Sequence, residues 1–408
     1  MRASRRNEDD PIKLAATLAI IFAGLSGRSA VDKVLTLRGG PELVAFWAQL
    51  ASIIDLVAGV ALAGVGTGIS VLIAQTAQAE RQRALLHRSL RLGFAVSAPV
   101  MLAVVALSLA FPGTLAGGGP PHSLVALAAA VGCVAVVPGI VNGYWLGQQR
   151  RDLMLALAAG SALALLAAAL AAPRAHVLAA LALVQVLPAL AAGFAVSRAG
   201  APAARDAAPL ARYVLPGLTI GLLTPLATLA VRDIVAAQMS WHDVGLLQAL
   251  WRVSDWVANV AAGVMAVHFL PRLSAAHGTP RFAAELKRAA LVTVVPSALA
   301  LAVEAFLQRP LLALFYDESF AIPDAAASLL FAGTFLRIAS WLPLYALYAM
   351  RRTRALVVGE LLSMPLFAAL LAAWPGALTL EAAGALWLAA YAGYGLFNLW
   401  AVRRAAWL

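Results

Sequence analysis

The run SRAGAPAARDAAPLAR, Ser197–Arg212, is the stretch from which the rest of the chain can be read. Its Ala, Pro, Gly and Arg content suits a linker and breaks any apolar period. Six apolar segments precede it, at 12–37, 43–76, 91–111, 123–148, 153–172 and 176–196, and six follow it, at 213–239, 242–270, 288–307, 325–350, 355–373 and 380–402. A stretch of about 20 apolar residues is what a helix needs to cross a hydrocarbon core roughly 30 Å thick. The sequence therefore predicts an all-α, polytopic membrane protein: twelve transmembrane helices in two six-helix lobes, 1–197 and 213–408, joined by a cytoplasmic linker at 198–212.

Composition supports this and excludes much else. Of the 408 residues 62% are hydrophobic and 12% charged, with a mean hydropathy of +0.86. A soluble domain has about 45–50% and 25%. The net charge of +11 does not point to nucleic acid, because the basic residues sit in short clusters between apolar runs and form no continuous stripe. With the N-terminus inside, the cytoplasmic segments hold 22 Lys and Arg residues, and the opposite loops hold Arg38, Arg174 and Arg309, with Lys33 at the edge. The positive-inside rule then places both termini in the cytoplasm. Residues 1–11 are basic, then acidic, and no small-residue cleavage site follows the first apolar run, so the first span is expected to be retained. The single cysteine, Cys133, lies in an apolar segment and rules out an internal disulfide. The six histidines stand at no metal-ligand spacing, and neither a metal nor any other cofactor is implied.

The two halves resemble each other. An offset of 200 sets Ala30-Val31-Asp32-Lys33-Val34 on Ala230-Val231-Arg232-Asp233-Ile234 and Asp55 on Asp255; an offset of 201 sets Tyr144 on Tyr345 and Arg150-Arg151 on Arg351-Arg352. Six is an even number, so both copies share one orientation. Two such copies predict a pseudo-two-fold along the membrane normal and a central cavity, the plan of a transporter.

Ionisable side chains in hydrocarbon are costly and normally face a wet cavity or a partner. Here Arg28, Asp32 and Lys33 fall in the first segment, Asp55 in the second, Arg232 and Asp233 in the seventh, Arg252 and Asp255 in the eighth, and Arg337 in the tenth. At ~1.5 Å per residue, Asp55, Arg252, Asp255 and Arg337 lie about 15–20 Å from their outer ends, near mid-bilayer. Some should pair. Arg252 and Asp255 are spaced i,i+3 on one helical face, and Asp32 with Arg232 would make an outer gate between lobes. Arg28 and Arg337 have no acid at i±3 or i±4 and are the leading candidates for a functional cation. A guanidinium offers a fork of donors matched to phosphate, so an anionic, phosphorylated substrate is expected. The glycines Gly59, Gly64, Gly66 and Gly68 sit in an apolar helix without a preceding strand, which argues for close packing or flexibility and against a nucleotide loop. Trp251, Trp256, Trp341, Tyr345 and Tyr348 suit packing or interfacial anchoring, with stacking on sugar rings as the alternative.

Three stretches carry a family resemblance. Ser240-Trp241-His242-Asp243-Val244-Gly245 with Gln248, Ser254-Asp255 and Phe269-Leu270-Pro271-Arg272-Leu273-Ser274 is similar to the W-x-(D/E)-V-G-x-x-Q…S-D…L-P-x-L-S run of Wzx-type flippases for O-antigen and lipid III. In the first half Gly40-Pro41, Gln49-Leu50, Gly64, Gly66 and Ala74-Gln75 resemble the equivalent region, and Gln148–Arg151 does so more loosely. The resemblance, to the polysaccharide-exporter branch of the MOP superfamily, implies alternating access by two six-helix lobes in the bacterial inner membrane. It implies an undecaprenyl-diphosphate-linked oligosaccharide as substrate, held by cavity cations among Arg28, Arg337, Arg252, Lys33 and Arg232. A coupled proton or sodium ion would act through Asp55, Asp255, Asp32 or Asp233. Membrane lipids and polysaccharide polymerase or assembly proteins are the implied partners. A small-molecule or drug antiporter of the same superfamily would favour an acidic cavity over this arginine excess. A major-facilitator carrier would need a G-x-x-x-D-R/K-x-G-R-R/K loop that Gln78–Arg91 lacks, and a polymerase or ligase would need a large outer loop.

Overall fold

The computed structural model describes residues 11–111, 118–197 and 211–406; the linker at 198–210 and the basic and acidic residues at 1–10 lie outside them. Among the described residues every regular element is a helix and none is a strand. The first, α1 (Pro11–Ala61), runs through two of the expected segments and is broken at Gly40, where φ is 67° and ψ −160°. Glycine tolerates that left-handed backbone, and Pro41 has no N–H to continue the ladder. A π-helical turn, Leu62–Gly66, then leads into α2 (Thr67–Ala74). Among the described residues ten helical stretches are long and apolar enough to cross a membrane. One of them, Leu18–Ala74, has 57 residues. At 1.5 Å per residue this is ~85 Å, too long for one ~30 Å crossing, and the Gly40 break divides it into two. With α8 (Ala211–Gln238, 28 residues) each of the twelve expected segments is matched by helix. The chain is a multi-pass membrane protein.

The helices pack into two compact units, Ser26–Ala237 and Met1–Leu25 with Gln238–Leu408. The division differs from a cut at the linker: α8 up to Ala237 packs with the first half's helices, and the described start of α1, residues 11–25, with the second half's.

In the unit Ser26–Ala237, α3 (Ala79–Ala110), α4 (His122–Gly147), α5 (Arg151–Ala171), α6 (Val177–Val184) and α7 (Val186–Ser197) accompany α1, α2 and α8. Its core holds Val65, Ile69, Ile73, Val136 and Ile140, all at most 1% exposed. The glycines of α4 explain how α1 and α2 come so close. A Cβ at Gly132 would stand 2.8 Å from the Ile54 carbonyl oxygen, one at Gly143 2.7 Å from that of Gly66, and one at Gly147 2.7 Å from that of Ser70. Gly221 of α8 meets Gly59 in the same way, at 2.7 Å from its carbonyl oxygen. In a bilayer small residues are what allow backbones to approach, because lipid supplies no hydrophobic drive between helices. Close packing is thus the role of this glycine region, together with the π turn it accommodates. Gly143→Val should lower the unfolding free energy in detergent by about 1–3 kcal/mol, since backbone and not a side-chain tip must yield. A thermal melt indistinguishable from native would remove this account of the contact. Arg38 caps this unit from within: its guanidinium donates to the Leu170 and Ala172 carbonyls at the end of α5, where the helix dipole favours a cation.

In the other unit the chain continues as α9 (Trp241–Val264), a π turn Met265–Phe269, α10 (Leu270–Ala276), α11 (Arg281–Ala289), a π turn Ala290–Val294, α12 (Val295–Phe306), α13 (Gln308–Phe315), α14 (Asp324–Ala349), α15 (Thr353–Leu361), α16 (Met364–Ala372) and α17 (Leu380–Ala406). Here α14 lies along α17, with Gly333 against Trp387, Gly384 against the Ala326 carbonyl and Gly395 against Ser340. Trp387 Nε1 donates to Thr334 Oγ1 at 3.3 Å.

The duplication is visible in the backbone. Two non-glycine residues among those described have positive φ, Gln149 at 61° and Arg351 at 57°, 202 residues apart. Each follows the helix of its half that ends in the same way. Gln148 N–H bonds Tyr144 O at 3.1 Å and Arg150 N–H bonds Trp145 O at 2.9 Å; Met350 N–H bonds Ala346 O at 2.9 Å and Arg352 N–H bonds Leu347 O at 3.0 Å. This is a Schellman-type ending. The next residues match too, Arg150 at φ −84°, ψ 65° and Arg352 at φ −85°, ψ 66°. Backbone geometry therefore sets Arg150 on Arg352 and corrects the 201 offset by one residue.

Candidate functional site

The motif that carries the family resemblance works mainly as scaffold. Ser240 is the N-cap of α9, its Oγ accepting the Asp243 N–H at 3.1 Å while its hydroxyl donates to the Asp243 carboxylate. The N-cap hydroxyl thus satisfies one of the free N–H groups of the first turn, and the Asp243 carboxylate holds that hydroxyl in place. Ser240→Ala should cost about 1 kcal/mol of stability and leave substrate handling unchanged, which a melt and a transport assay together would check. Further along the run, Ser254 Oγ donates to the Trp251 carbonyl at 3.1 Å, and Phe269 and Leu273 are wholly buried. In the first half Gly40 makes the break in α1 and Gly66 ends a π turn. Asp255, also in the run, faces a charge.

Its partner is Arg337. Nη2 of Arg337 donates to Asp255 Oδ1 at 2.9 Å, with the two side chains 17% and 29% exposed. Besides Arg252 at i−3, a cation reaches Asp255 from α14, 82 positions away. Arg337 is consequently no lone cation. Its guanidinium also lies 5.6 Å from the centroid of Trp341 and 5.7 Å from that of Trp387, so ring faces take part of its charge. Trp387 belongs to a buried aromatic column, with Trp251 at 5.4 Å, Phe367 at 5.0 Å and Tyr391 at 4.6 Å between centroids. Trp251 is 6% exposed. It packs, and stacking on a sugar would first require the column to open. Tyr348, at the end of α14 and 37% exposed, is the accessible aromatic of those named from sequence in this helix.

Glu304 of α12 does not stand out in the sequence. It lies close enough to Asp255 for the two carboxyls to interact, and its Oε2 is buried without a hydrogen-bond partner among the described residues. Two carboxyls and one guanidinium thus share a part of this unit. Glu360 of α15, close enough to Tyr391 to interact with it, is a second such acid. The signal for both was available: each is a carboxylate within an apolar run, near its end.

The unit Ser26–Ala237 contains the other charges. Arg232 is 5% exposed and donates through Nη1 to the Ala48 carbonyl at 3.1 Å and to Ser52 Oγ at 2.6 Å. Gln49, wholly buried, donates to Asp233 Oδ1 at 3.0 Å. The equivalence of Gln49 to a family position has a physical basis here, since it ties α1 to α8. Asp32 is 1% exposed, and its own carbonyl accepts from Thr36 at 2.9 Å. Asp32 and Arg232 belong to this one unit. Lys33 is half-buried. Arg28 and Asp55 differ from all of these: both are exposed, and no hydrogen bond or ion pair to either occurs among the described residues. Among the described residues no group of three His, Cys, Asp or Glu side chains is placed to hold a metal.

No family model matches the chain. Two curated proteins named Lipid III flippase, from Escherichia coli (strain K12) and Shigella flexneri, are each 28% identical over 290 residues, 64% of this chain and 65% of their own length. The match spans less than two thirds of those relatives. Among solved structures, the inward-facing conformation of a multidrug resistance MATE family transporter of the MOP superfamily superposes with a TM-score of 0.69 at 15% identity, covering 97% of this chain and 95% of that one. The chain has the MOP-superfamily fold. A MOP superfamily transporter from Pyrococcus furiosus, described as having a binding pocket of reversed polarity that suggests a different function, superposes with a TM-score of 0.67 at 16% identity over 100% and 98% of the two chains. Identities this low carry the fold and leave function to the residues.

Proposed function

We propose that the chain is a flippase that moves an undecaprenyl-diphosphate-linked oligosaccharide from the cytoplasmic to the periplasmic leaflet of a bacterial inner membrane by alternating access. The reading rests on the 290-residue match to two Lipid III flippases, which agrees with the motif residues at Ser240–Ser274. The chain is read as a transporter and not an enzyme, with both termini cytoplasmic and lobes 1–197 and 213–408 as its moving parts. Arg28 is the first residue to meet the diphosphate, because an exposed guanidinium in a span has its donors available. Arg337, Arg252, Lys33 and Arg232 complete the cationic set. Arg337 reaches substrate phosphate by exchanging Asp255 for it, which makes Asp255, and beside it Glu304, the acids left to take up a cation when the pair opens. Asp55, Asp32 and Asp233 are the corresponding acids of the first half. Guanidinium suits this task because its fork binds two phosphate oxygens at once and stays charged throughout the cycle.

The test is translocation in proteoliposomes of a labelled prenyl-diphosphate oligosaccharide, scored by its accessibility to a reagent that cannot cross the membrane. The expected result is protein-dependent equilibration across the bilayer, well above protein-free vesicles. A protein that leaves this lipid in place but exchanges a small organic cation for protons would be an antiporter of the same fold, and the flippase reading would fail.

A further inference from the structure

The two Schellman corners have the same backbone and opposite electrostatics. At the first, Arg150 is neutralised by Asp152, Nε to Oδ1 at 3.1 Å and Nη2 to Oδ2 at 3.0 Å. At the second, the 202 offset puts Arg351 where Gln149 was, Arg352 where Arg150 was and Arg354 where Asp152 was. An acid has become a third arginine. Arg404, from the end of α17, comes to the same place, and the four arginines line a pocket of about 450 Å³ with Thr353 and Trp400. None of the four makes an ion pair among the described residues. Four like charges around one small pocket repel one another, so the arrangement calls for a polyvalent anion.

Its surroundings say which kind. Trp400 is 53% exposed and carries the Arg404 guanidinium 5.3 Å from its ring centroid. Below it on α17, Leu399 is 42% and Leu396 69% exposed. Arginines over an exposed tryptophan, with bare leucines continuing along the helix, form a site that is cationic at one end and apolar along its length. Tryptophan in this position marks the bilayer interface, and the basic clusters of this chain belong to the cytoplasmic leaflet. We propose that this pocket binds the phosphate-bearing headgroup of an anionic membrane phospholipid, its acyl chains lying along Leu396 and Leu399. The site does not depend on the flippase reading.

The experiment uses the full chain in nanodiscs of phosphatidylcholine, with and without a minor fraction of phosphatidylglycerol, and measures anionic lipid retained after exchange into phosphatidylcholine. Each basic residue at a membrane surface is worth roughly fivefold in affinity for anionic lipid. Arg354→Asp, which reinstates the first corner's pairing, should therefore reduce retained phosphatidylglycerol by roughly tenfold or more without moving the melting temperature in pure phosphatidylcholine. Arg354→Gln serves if the aspartate variant does not fold, with a loss of roughly fivefold. Asp152→Arg, at the first corner, is the matched control for charge placed on the same backbone elsewhere. Retention by the Arg354 variants equal to native overturns the proposal. So does complete displacement of the lipid by millimolar inorganic pyrophosphate, which would make the pocket a site for soluble phosphate.

Discussion

Arg337→Ala is expected to lower the unfolding free energy in detergent by about 1.5–3 kcal/mol, because a charge-assisted hydrogen bond in a half-buried pair is lost and Asp255 is left without it. Asp255 would be left facing Glu304 with no guanidinium between them and the aromatic column. A loss of transport in this variant would say little alone, since a misfolded flippase also fails. The informative companion is Arg337→Met with Asp255→Leu. Replacing both charges with apolar groups of similar volume is often neutral or stabilising, so the double variant should melt near the native temperature. If Arg337 binds the diphosphate, the double variant stays folded and does not flip the lipid. Transport at the native rate by a stable double variant would reduce the pair to a structural ion pair and remove Arg337 and Asp255 from the mechanism.

Arg28→Ala is expected to do the reverse, leaving stability within about 0.5 kcal/mol of native while transport falls. The side chain is exposed and holds up no neighbour among the described residues. A charge-assisted hydrogen bond to phosphate is worth about 1.5–3 kcal/mol, so the rate at limiting substrate should drop by about tenfold to a hundredfold. Arg28→Lys should recover part of it, because an ammonium keeps the charge and loses the fork. Equal transport by native and Arg28→Ala protein, at matched reconstitution, would exclude this residue from substrate binding.

Much of the architecture was legible in sequence because it follows from bulk properties. Apolar runs long enough to cross a bilayer show at any register, and the breaks at Gly40-Pro41 and at the basic clusters stand out against them. Register within the repeat was harder. In alanine- and leucine-rich helices neighbouring offsets match about equally well, and the positive-φ residues Gln149 and Arg351 fix the value at 202. Partners of the buried charges were not legible, for a different reason. Helical spacing exposes pairs three or four residues apart, whereas Arg337 finds Asp255 over 82 residues and Gln49 finds Asp233 over 184. Those contacts belong to tertiary packing. Glu304 and Glu360 do not stand out in sequence because neither belongs to a recognisable motif or has a repeat counterpart; their proximity to Asp255 and Tyr391 comes from packing between helices.

The π turns carry a record of descent. A π turn is what an α-helix becomes when one residue is inserted and the helix absorbs it without breaking. Leu62–Gly66 and Met265–Phe269 stand 203 residues apart, within one residue of the repeat distance, as expected if the turn was already present when the halves were one unit. Ala290–Val294 has no counterpart among the described residues, for α3 runs through the equivalent position without interruption. The ninth span and the third therefore differ in local backbone although they occupy matching places in the two halves.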